Sequence, residues 1–287
     1  MKVAIIGGGG RMGSWFALHF SSRGTTTVLS DLNIDKARSV ASRTGAETAE
    51  SSISAVADAD LALICVPIDD TPGVIHEIAP HMKSGAVLAE LSSVKAQTVK
   101  ALREVASLGV QPLSLHPMFG PAATSLKKKT IVVVQVLDGN MEADITSSLF
   151  EEAEIVISEQ EEHDRVMAAL LSLTYFLNIA FAKVISEEDL TSMKRMAGTT
   201  FTVQLTIAEA VISEDPVLVA SLLRENTFTE YYLNRFATEA GKISELVKCN
   251  SKGLLDLYNF VRARFSQDPD YALADERRNR AFEALKE

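Results

Sequence analysis

The chain has 287 residues, enough for two ordinary domains, and 47% of them are hydrophobic and 23% charged, which is typical of a globular protein. The net charge of −10 and pI of about 5.1 argue against a surface for nucleic acid or anionic membrane, since both need a basic face. Cys65 and Cys249 lie far apart without metal-ligand spacing, so we expect free thiols, no metal and a cytoplasmic location.

Residues 1–157 alternate short apolar runs with helical patterns. The predicted strands are Lys2–Ile6, Thr26–Ser30, Leu61–Val66, Ala86–Leu91, Gln111–Leu115 and Thr130–Val136, and the helices between them include Arg11–Ser22, Ile34–Arg43 and Ala96–Ala106. Such alternation favours parallel strands with right-handed crossovers. Runs that are apolar throughout are typical of a sheet covered on both faces. We predict an α/β domain with a Rossmann-type, doubly wound parallel sheet.

A glycine-rich sequence follows the first predicted strand. It reads G-G-G-R-M-G and matches G-x-G-x-x-G with Gly8, Gly10 and Gly13 in register. In this pattern the first glycine permits a tight turn, the second admits a pyrophosphate close to the backbone, and the third lets helix and strand pack. Arg11 and Met12 open the helix whose free N–H groups point at the phosphates. The motif in this context predicts a dinucleotide-binding site.

Asp31 closes the second predicted strand. A carboxylate at this place accepts hydrogen bonds from the ribose hydroxyls and repels the 2′-phosphate of NADP, so we expect NAD as the cofactor in preference to NADP. Lys36 and Arg38 follow on the next helix and are expected to face solvent. The alternative role for Asp31, an N-cap for that helix, is compatible with the same geometry.

The sequence H-P-M-F-G-P begins at His116, directly after the apolar run 113–115. A histidine at a strand end, pinned by a proline, is placed like a catalytic base, and its ordinary pKa lies near neutrality. The alternative is a His-Pro pair that only turns the chain. Ser93, in a Ser-Val-Lys sequence, follows another predicted strand, so the two side chains form a candidate catalytic pair.

From residue 158 onward the strand-like runs stop and helical patterns continue almost to the end, including a helix that begins at Pro216. The segment 166–182 carries no charged residue. We interpret it as a helix buried on all sides in a helical domain or dimer core, not as a membrane span. The prediction is an all-α dimerisation domain over 158–287, and hence a homodimer.

Four motifs together make the chain resemble the prephenate dehydrogenase family, which includes arogenate dehydrogenases. They are the glycine motif, the Ser-Val-Lys sequence at Ser93, the H-P-M-F-G-P sequence at His116 and Glu162-His163-Asp164. Order and spacing agree from the first strand into the helical part. The resemblance implies NAD-dependent oxidative decarboxylation of prephenate to 4-hydroxyphenylpyruvate in tyrosine biosynthesis. Removal of a hydroxyl proton drives hydride onto the nicotinamide, and loss of carbon dioxide makes the ring aromatic.

The resemblance also implies roles for single residues. His116 takes the hydroxyl proton of the substrate. Ser93 bonds the same hydroxyl or orients the imidazole, and it is also a candidate N-cap for the helix that follows. Lys95 is structural or close to the cofactor rather than a base. His163 lies at the start of the long helix, outside the chemistry, in a capping or surface role.

Two positions depart from the family pattern. Tyr175 stands where a substrate-facing histidine is usual, and Ala210 where an arginine usually binds a substrate carboxylate. Tyrosine can still donate a hydrogen bond to a carboxylate, but alanine cannot replace a bidentate arginine. Lys128 matches a family lysine near the substrate, with a solvated charge run as the alternative, and Lys194 and Arg195 are further candidate cations.

Three alternatives remain open. One is arogenate as the substrate. Another is a β-hydroxyacid or 6-phosphogluconate type dehydrogenase, which shares the glycine turn and helical second domain but uses a lysine base and leaves His116 unexplained. The third is a nucleotide-binding regulatory module without turnover, favoured by Tyr175 and Ala210 and opposed by the presence of Ser93 and His116.

Overall fold

The computed structural model describes residues 1–249 and 251–286, and within them one eight-stranded sheet is formed, in the order β3-β2-β1-β4-β5-β6-β7-β8. The strands are β1 Lys2–Ile6, β2 Thr26–Ser30, β3 Glu47–Thr48, β4 Leu61–Ile64, β5 Val87–Glu90, β6 Gln111–Pro117, β7 Thr130–Val134 and β8 Glu154–Ser158. The strand order reverses between β1 and β4. In open α/β sheets, ligands bind beyond the carboxyl ends of the strands at such a switch point.

The chain divides into two compact units. The first is Met1–Met167 with Arg224–Asn226, and the second is Ala168–Leu223 with Thr227–Glu287. The predicted boundary between 157 and 158 falls at the end of β8, the last strand. As a domain boundary it stays a prediction.

Helices cover both faces of the sheet in the first unit. They are α1 Arg11–Ser21, α2 Ile34–Thr44, α3 Ser52–Val56, α4 Thr71–Ile78, α5 Ala96–Val105, α6 Gly139–Leu149 and α7 Gln160–Met167. Neighbouring strand residues enter different apolar clusters: Ile5 and Leu63 pack in one, Ile6 and Ile64 in the other, each at most 3% exposed. Each such side chain contributes about 1.5–3 kcal/mol on burial. The predicted Rossmann-type sheet is confirmed.

The sheet departs from the predicted all-parallel arrangement at one pair of strands. β6 and β7 run antiparallel, with Ser114 opposite Val134 and Pro117 opposite Ile131. The intervening segment 118–129 contains no helix, so no crossover returns the chain to the starting edge of the sheet. β3 and β8 were not predicted: β3 has two residues, and β8 carries exposed apolar side chains.

The described residues of the second unit form helices joined by short turns, with no strand among them. Its helices are α8 Thr174–Ile185, α9 Leu190–Met196, α10 Thr199–Ile212, α11 Pro216–Glu225, α12 Thr229–Cys249, α13 Ser251–Phe265 and α14 Ala274–Ala284, the last residues of α11 belonging to the first unit. The predicted start at Pro216 is confirmed. α7 and α8 are parts of one helix, Gln160–Ile185, joined by the π-helical turn Ala168–Leu173.

The apolar helix Gln160–Ile185 is long enough to cross a membrane by length and composition, but it is not buried inside one copy of the chain. Only 17% of its most apolar 18-residue stretch is buried, and Leu170 and Val184 are 52% and 65% exposed. The chain's own helical domain therefore does not bury this helix on all sides, and its burial in a dimer core stays a prediction. Exposed apolar faces of this kind are typical of interaction surfaces.

Candidate active site

The glycine-rich turn follows β1 directly. Gly7 adopts a φ of +82°, and the N–H groups of Gly7 and Gly8 donate to the Ser30 carbonyl at the end of β2, at 2.8 and 3.0 Å. A Cβ on Gly7 would lie 2.7 Å from the Cys65 carbonyl oxygen, so both conformation and space require glycine here. The left-handed residue of the turn is therefore Gly7, where the sequence motif predicted Gly8.

The first turn of α1 faces the open end of this loop. The helix begins at Arg11, and its N-cap residue Gly10 brings no side-chain hydrogen bond. The N–H groups at the N-terminus of a helix are suited to binding an anion. A Cβ on Gly13 would overlap the Gly7 carbonyl, whereas a Cβ on Gly10 would lie 3.2 Å from that oxygen and 3.9 Å from the Cys65 carbonyl oxygen. Met12 lies half-buried in the same turn. The turn fits a pyrophosphate held against the backbone.

Asp31 lies beside the glycine turn. Its Oδ2 accepts the N–H of Gly9 at 2.9 Å, and its Oδ1 accepts the N–H of Asn33 at 2.8 Å. The N-cap of α2 is Asn33, whose side chain accepts the N–H of Lys36, so the alternative role of Asp31 as the helix cap is not seen. Lys36 and Arg38 are exposed, as expected. The carboxylate is thus fixed to the same turn that would hold the pyrophosphate.

His116 is held inside the sheet rather than after it. β6 extends to Pro117, and His116 lies opposite Val132 of β7. β6 runs parallel to β5, whose Glu90 lies beside Ser114, so the end of β6 that carries His116 is on the carboxyl edge of the parallel strands. The glycine turn after β1 and Asp31 after β2 lie on this edge too. The imidazole is 6% exposed.

A chain of hydrogen bonds runs from His116 into the first turns of α7. Nδ1 of His116 lies 2.9 Å from Nε2 of His163, and Nδ1 of His163 lies 2.9 Å from Oδ1 of Asp164. His163 is 2% exposed and Asp164 is fully buried. The predicted surface or capping role for His163 is therefore wrong. Its imidazole is a direct partner of the candidate base.

Asp164 also caps α5. Its Oδ1 accepts the N–H of Lys95 at 2.9 Å and its Oδ2 accepts that of Ala96 at 3.0 Å. The capping function considered for Ser93 is thus performed by Asp164, and the partner of the His116 imidazole is His163. Ser93 is half-buried between β5 and α5, and its hydroxyl makes no hydrogen bond to any residue that the structure describes. It remains available to a substrate.

A buried ion pair lies beneath this chain of hydrogen bonds. Nζ of Lys95 donates to Oε1 of Glu90 at 2.8 Å and to the Leu115 carbonyl at 2.7 Å, and both charged side chains are 0% exposed. The Ser114 hydroxyl also donates to Oε1 of Glu90, and the N–H of Ser92 donates to Oε2, at 2.5 and 2.7 Å. Lys95 is therefore structural, as expected, and ties β5 to β6.

The surroundings keep both imidazoles neutral. Burial, then the positive charge of Lys95 and then His163, hold the pKa of His116 well below its ordinary 6.5. Burial also lowers the pKa of His163, against the opposing effect of its hydrogen bond to Asp164. A neutral imidazole with one unprotonated nitrogen is the form that can accept a proton.

The predicted substrate contacts are distributed over the two units. Lys128, in the first unit, is exposed with a φ of +59°. Tyr175 is half-buried on α8 and Ala210 exposed on α10, both in the second unit. Lys194 forms an exposed ion pair with Glu209 at 2.6 Å, so a negative charge lies beside its ammonium group. Arg195 is exposed.

Sequence reasoning missed three parts of this arrangement: the buried Glu90, the partnership of His163 with His116, and the capping carboxylate Asp164. Glu90 gave a signal, since it is a charge at the end of an otherwise apolar strand and a lysine follows five residues later. Both cysteines are free. Among residues 1–249 and 251–286 no cluster of three or more potential metal ligands is present.

The chain matches two parts of one protein family. Residues 16–136 match the nucleotide-binding domain of prephenate dehydrogenase, and residues 159–261 match its dimerization domain. The chain belongs to the prephenate dehydrogenase family. These matches confirm the predicted family, with a nucleotide-binding part followed by a dimerization part.

Individual relatives agree with this assignment. A probable arogenate/prephenate dehydrogenase of Methanocaldococcus jannaschii is 28% identical over 255 residues, which are 86% of this chain and 57% of the relative. The T-protein of Haemophilus influenzae is 24% identical over 96% of this chain and 70% of its own length. The chain thus spans just over half of the first relative and about two thirds of the second.

Solved structures share the fold. The prephenate dehydrogenase from A. aeolicus, in complex with hydroxyphenyl propionate and NAD+, superposes with a TM-score of 0.75 at 19% identity, over 93% of this chain and 98% of that one. The Synechocystis arogenate dehydrogenase gives 0.71 at 17% identity, over 93% and 99%. At this identity the likeness shows a common architecture and nothing finer.

Proposed function

We propose that this chain is an NAD-dependent prephenate dehydrogenase that converts prephenate to 4-hydroxyphenylpyruvate and carbon dioxide, in tyrosine biosynthesis. The observation that carries the proposal is the position of His116. A neutral, buried imidazole lies on the same edge of the sheet as a glycine turn and a carboxylate suited to a dinucleotide. Family membership supplies the reaction class.

The residues that would hold the cofactor follow from the turn. The first-turn N–H groups of α1, from Arg11 to Gly13, would bind the pyrophosphate. Gly10 leaves room for its approach, and Asp31 would accept the ribose hydroxyls. Bound NAD+ would supply the hydride acceptor for the reaction.

His116 would act as the general base on the ring hydroxyl of the substrate. Its Nδ1 is engaged with His163, which leaves Nε2 for the hydroxyl proton. The half-buried hydroxyl of Ser93 would bond the same substrate oxygen. As the carbon–hydrogen bond delivers hydride and the carboxylate leaves as carbon dioxide, the two electrons of the broken carbon–carbon bond complete the aromatic ring.

The substrate carboxylates need cationic or hydrogen-bonding partners. Lys128 would supply one charge from its exposed position in segment 118–129 of the first unit. Tyr175 stays a candidate from the sequence alone, since its hydroxyl can donate a hydrogen bond to a carboxylate. With alanine at position 210 no bidentate partner is offered there. We therefore expect weaker substrate binding than an arginine would give, with the reaction unchanged.

The working form would be a cytoplasmic homodimer. The exposed apolar face of Gln160–Ile185 belongs to the part of the chain that matches a dimerization domain. A second copy covering this face would remove the exposed leucine and valine side chains from water. The acidic net charge and the free thiols favour a soluble protein in a reducing compartment.

The decisive experiment for substrate and cofactor compares initial rates with prephenate and arogenate, each with NAD+ and NADP+. We expect the highest kcat/KM for prephenate with NAD+. A higher value for arogenate would reassign the substrate while keeping the chemistry. NAD+ binding without turnover of either substrate would instead favour a regulatory module.

The cofactor preference tests the role of Asp31. Replacing Asp31 with serine removes the charge that would repel a 2′-phosphate, and it keeps a side-chain oxygen near the N–H of Gly9. We expect the ratio of kcat/KM for NAD+ to that for NADP+ to fall by about tenfold or more, equivalent to about 1.4 kcal/mol. An unchanged ratio would show that Asp31 does not contact the ribose. Asp35→Ser, on the exposed side of α2, is the matched control.

The pH dependence follows from the environment of His116. Because its pKa is held well below 6.5, the base is already deprotonated at neutral pH, and activity is lost only when pH falls through that lowered pKa. We expect kcat/KM to stay level from pH 8 to about 6.5 and to decline only below it. The profile is measured with circular dichroism at each pH to exclude unfolding. A midpoint at or above 6.5 would contradict the assignment.

A further inference from the structure

The two histidines and Asp164 form one continuous hydrogen-bonded row. Asp164 Oδ1, His163 Nδ1, His163 Nε2 and His116 Nδ1 follow one another with two contacts of 2.9 Å. The three side chains are 0, 2 and 6% exposed, so water does not replace these partners. Since every contact in the row needs one donor and one acceptor, the position of each hydrogen depends on the carboxylate at its inner end.

The Asp164 carboxylate decides which nitrogen carries the hydrogen in each contact of the row. Both oxygens of Asp164 accept from N–H donors, the backbone N–H groups of Lys95 and Ala96 and the side-chain NH2 group of Gln160, at 2.9, 3.0 and 2.8 Å. The carboxylate is therefore the acceptor in its contact with His163 as well, and Nδ1 of His163 carries the hydrogen. Nε2 of His163 is then an acceptor, and the hydrogen between the two rings lies on Nδ1 of His116.

This order leaves Nε2 of His116 without a hydrogen. No residue in 1–249 or 251–286 bonds that nitrogen, and the ring keeps its slight exposure. In the opposite tautomer Nε2 would carry the hydrogen and could not accept another. The charged groups around the row are Asp164 from α7, Lys95 at the start of α5 and Glu90 from β5, and the last two form an ion pair at 2.8 Å.

We propose that His163 and Asp164 are positioning residues that hold His116 in the tautomer protonated on Nδ1, so that Nε2 is the proton acceptor. The inference rests on the proposed function for its catalytic consequence but not for the tautomer itself. In the serine-protease triad a buried aspartate fixes the tautomer of one histidine. Here the aspartate acts through a second imidazole.

Two substitutions that differ by one methylene separate positioning from simple folding. In His163→Gln the amide reaches about as far as Nε2, and its oxygen can accept the hydrogen of His116. In His163→Asn the amide reaches only as far as Nδ1, so it keeps the contact with Asp164 and loses the contact with His116. We expect kcat to fall by about 10²-fold in His163→Asn and by about tenfold or less in His163→Gln, with KM for NAD+ unchanged.

The tautomer is read directly from the ¹⁵N resonances of His116 in the whole protein, labelled on its five histidines. In the wild type we expect Nδ1 in the protonated range and Nε2 in the unprotonated range, with the same pattern in His163→Gln. In His163→Asn the two signals should move toward the average of exchanging tautomers. His76→Gln, on an exposed histidine paired with Glu104, should change neither kcat nor the His116 signals.

The outcomes separate the inference from the proposed function. If prephenate is not turned over but the His116 signals show the Nδ1-protonated form and respond to His163→Asn, the tautomer control stands and the proposed function fails. If the wild type shows Nε2 protonated, or if His163→Asn keeps the wild-type kcat and spectrum, the inference is overturned. Circular dichroism and NAD+ titration of each variant exclude a folding defect as the cause of a lower kcat.

Discussion

Replacing His116 with asparagine should lower kcat by about 10³-fold or more while leaving the binding of NAD+ intact. Asparagine places its amide where Nδ1 lies and can keep the contact with His163, so the buried hydrogen bond to His163 is retained. It has no counterpart of Nε2, which is the atom that would take the hydroxyl proton. The measurement is kcat for prephenate together with calorimetric titration of NAD+.

The matched control is His81→Asn, which makes the same change at an exposed histidine and should leave both quantities unchanged. A His116→Asn variant with near-normal turnover would show that the base is another group. If this variant instead lost NAD+ binding as well, His116 would be needed for the architecture of the site, and its chemical role would be unsupported.

Replacing Lys95 with methionine should have the largest effect on stability. It leaves the Glu90 carboxylate fully buried with only Ser114 and the Ser92 N–H as partners, and it removes the bond to the Leu115 carbonyl. Removing one partner of a buried ion pair costs about 3–5 kcal/mol. We expect a clearly lower midpoint for the thermal unfolding of the first unit.

Two further variants test whether the loss of the Lys95 charge causes the lower unfolding midpoint. Lys100→Met makes the same change on the exposed side of α5 and should leave the midpoint where it is. The double variant Glu90→Gln with Lys95→Met removes both charges and should recover part of the loss. If Lys95→Met alone unfolded like the wild type, the ion pair would not contribute to stability.

The fold could be predicted from the sequence because its main signals are local. Apolar runs such as Leu61–Val66 lie between helical patterns, and a glycine turn follows the first of them. The antiparallel pairing of β7 could not be read in this way, because only the absence of a helix in 118–129 distinguishes it. The two-residue strand β3 is too short to give a period of its own.

The candidate site could be predicted where residues act next to each other in the chain, and not where they meet in space. His116 and the glycine turn belong to such local motifs. His163 lies among five charged or polar neighbours, which is a pattern typical of a surface helix turn, and its burial depends on β6, 47 residues away. The N-cap of α2 is Asn33 rather than Asp31, because the Asp31 carboxylate accepts the N–H of Gly9 in the glycine turn.

The oxidative decarboxylation of prephenate is tested most directly by mixing purified protein with prephenate and NAD+. The amount of NADH formed is then compared with the amount of carbon dioxide released. We expect equal amounts of both, in turnovers that His116→Asn abolishes. Binding of NAD+ without formation of NADH, or NADH formed without release of carbon dioxide, would contradict it.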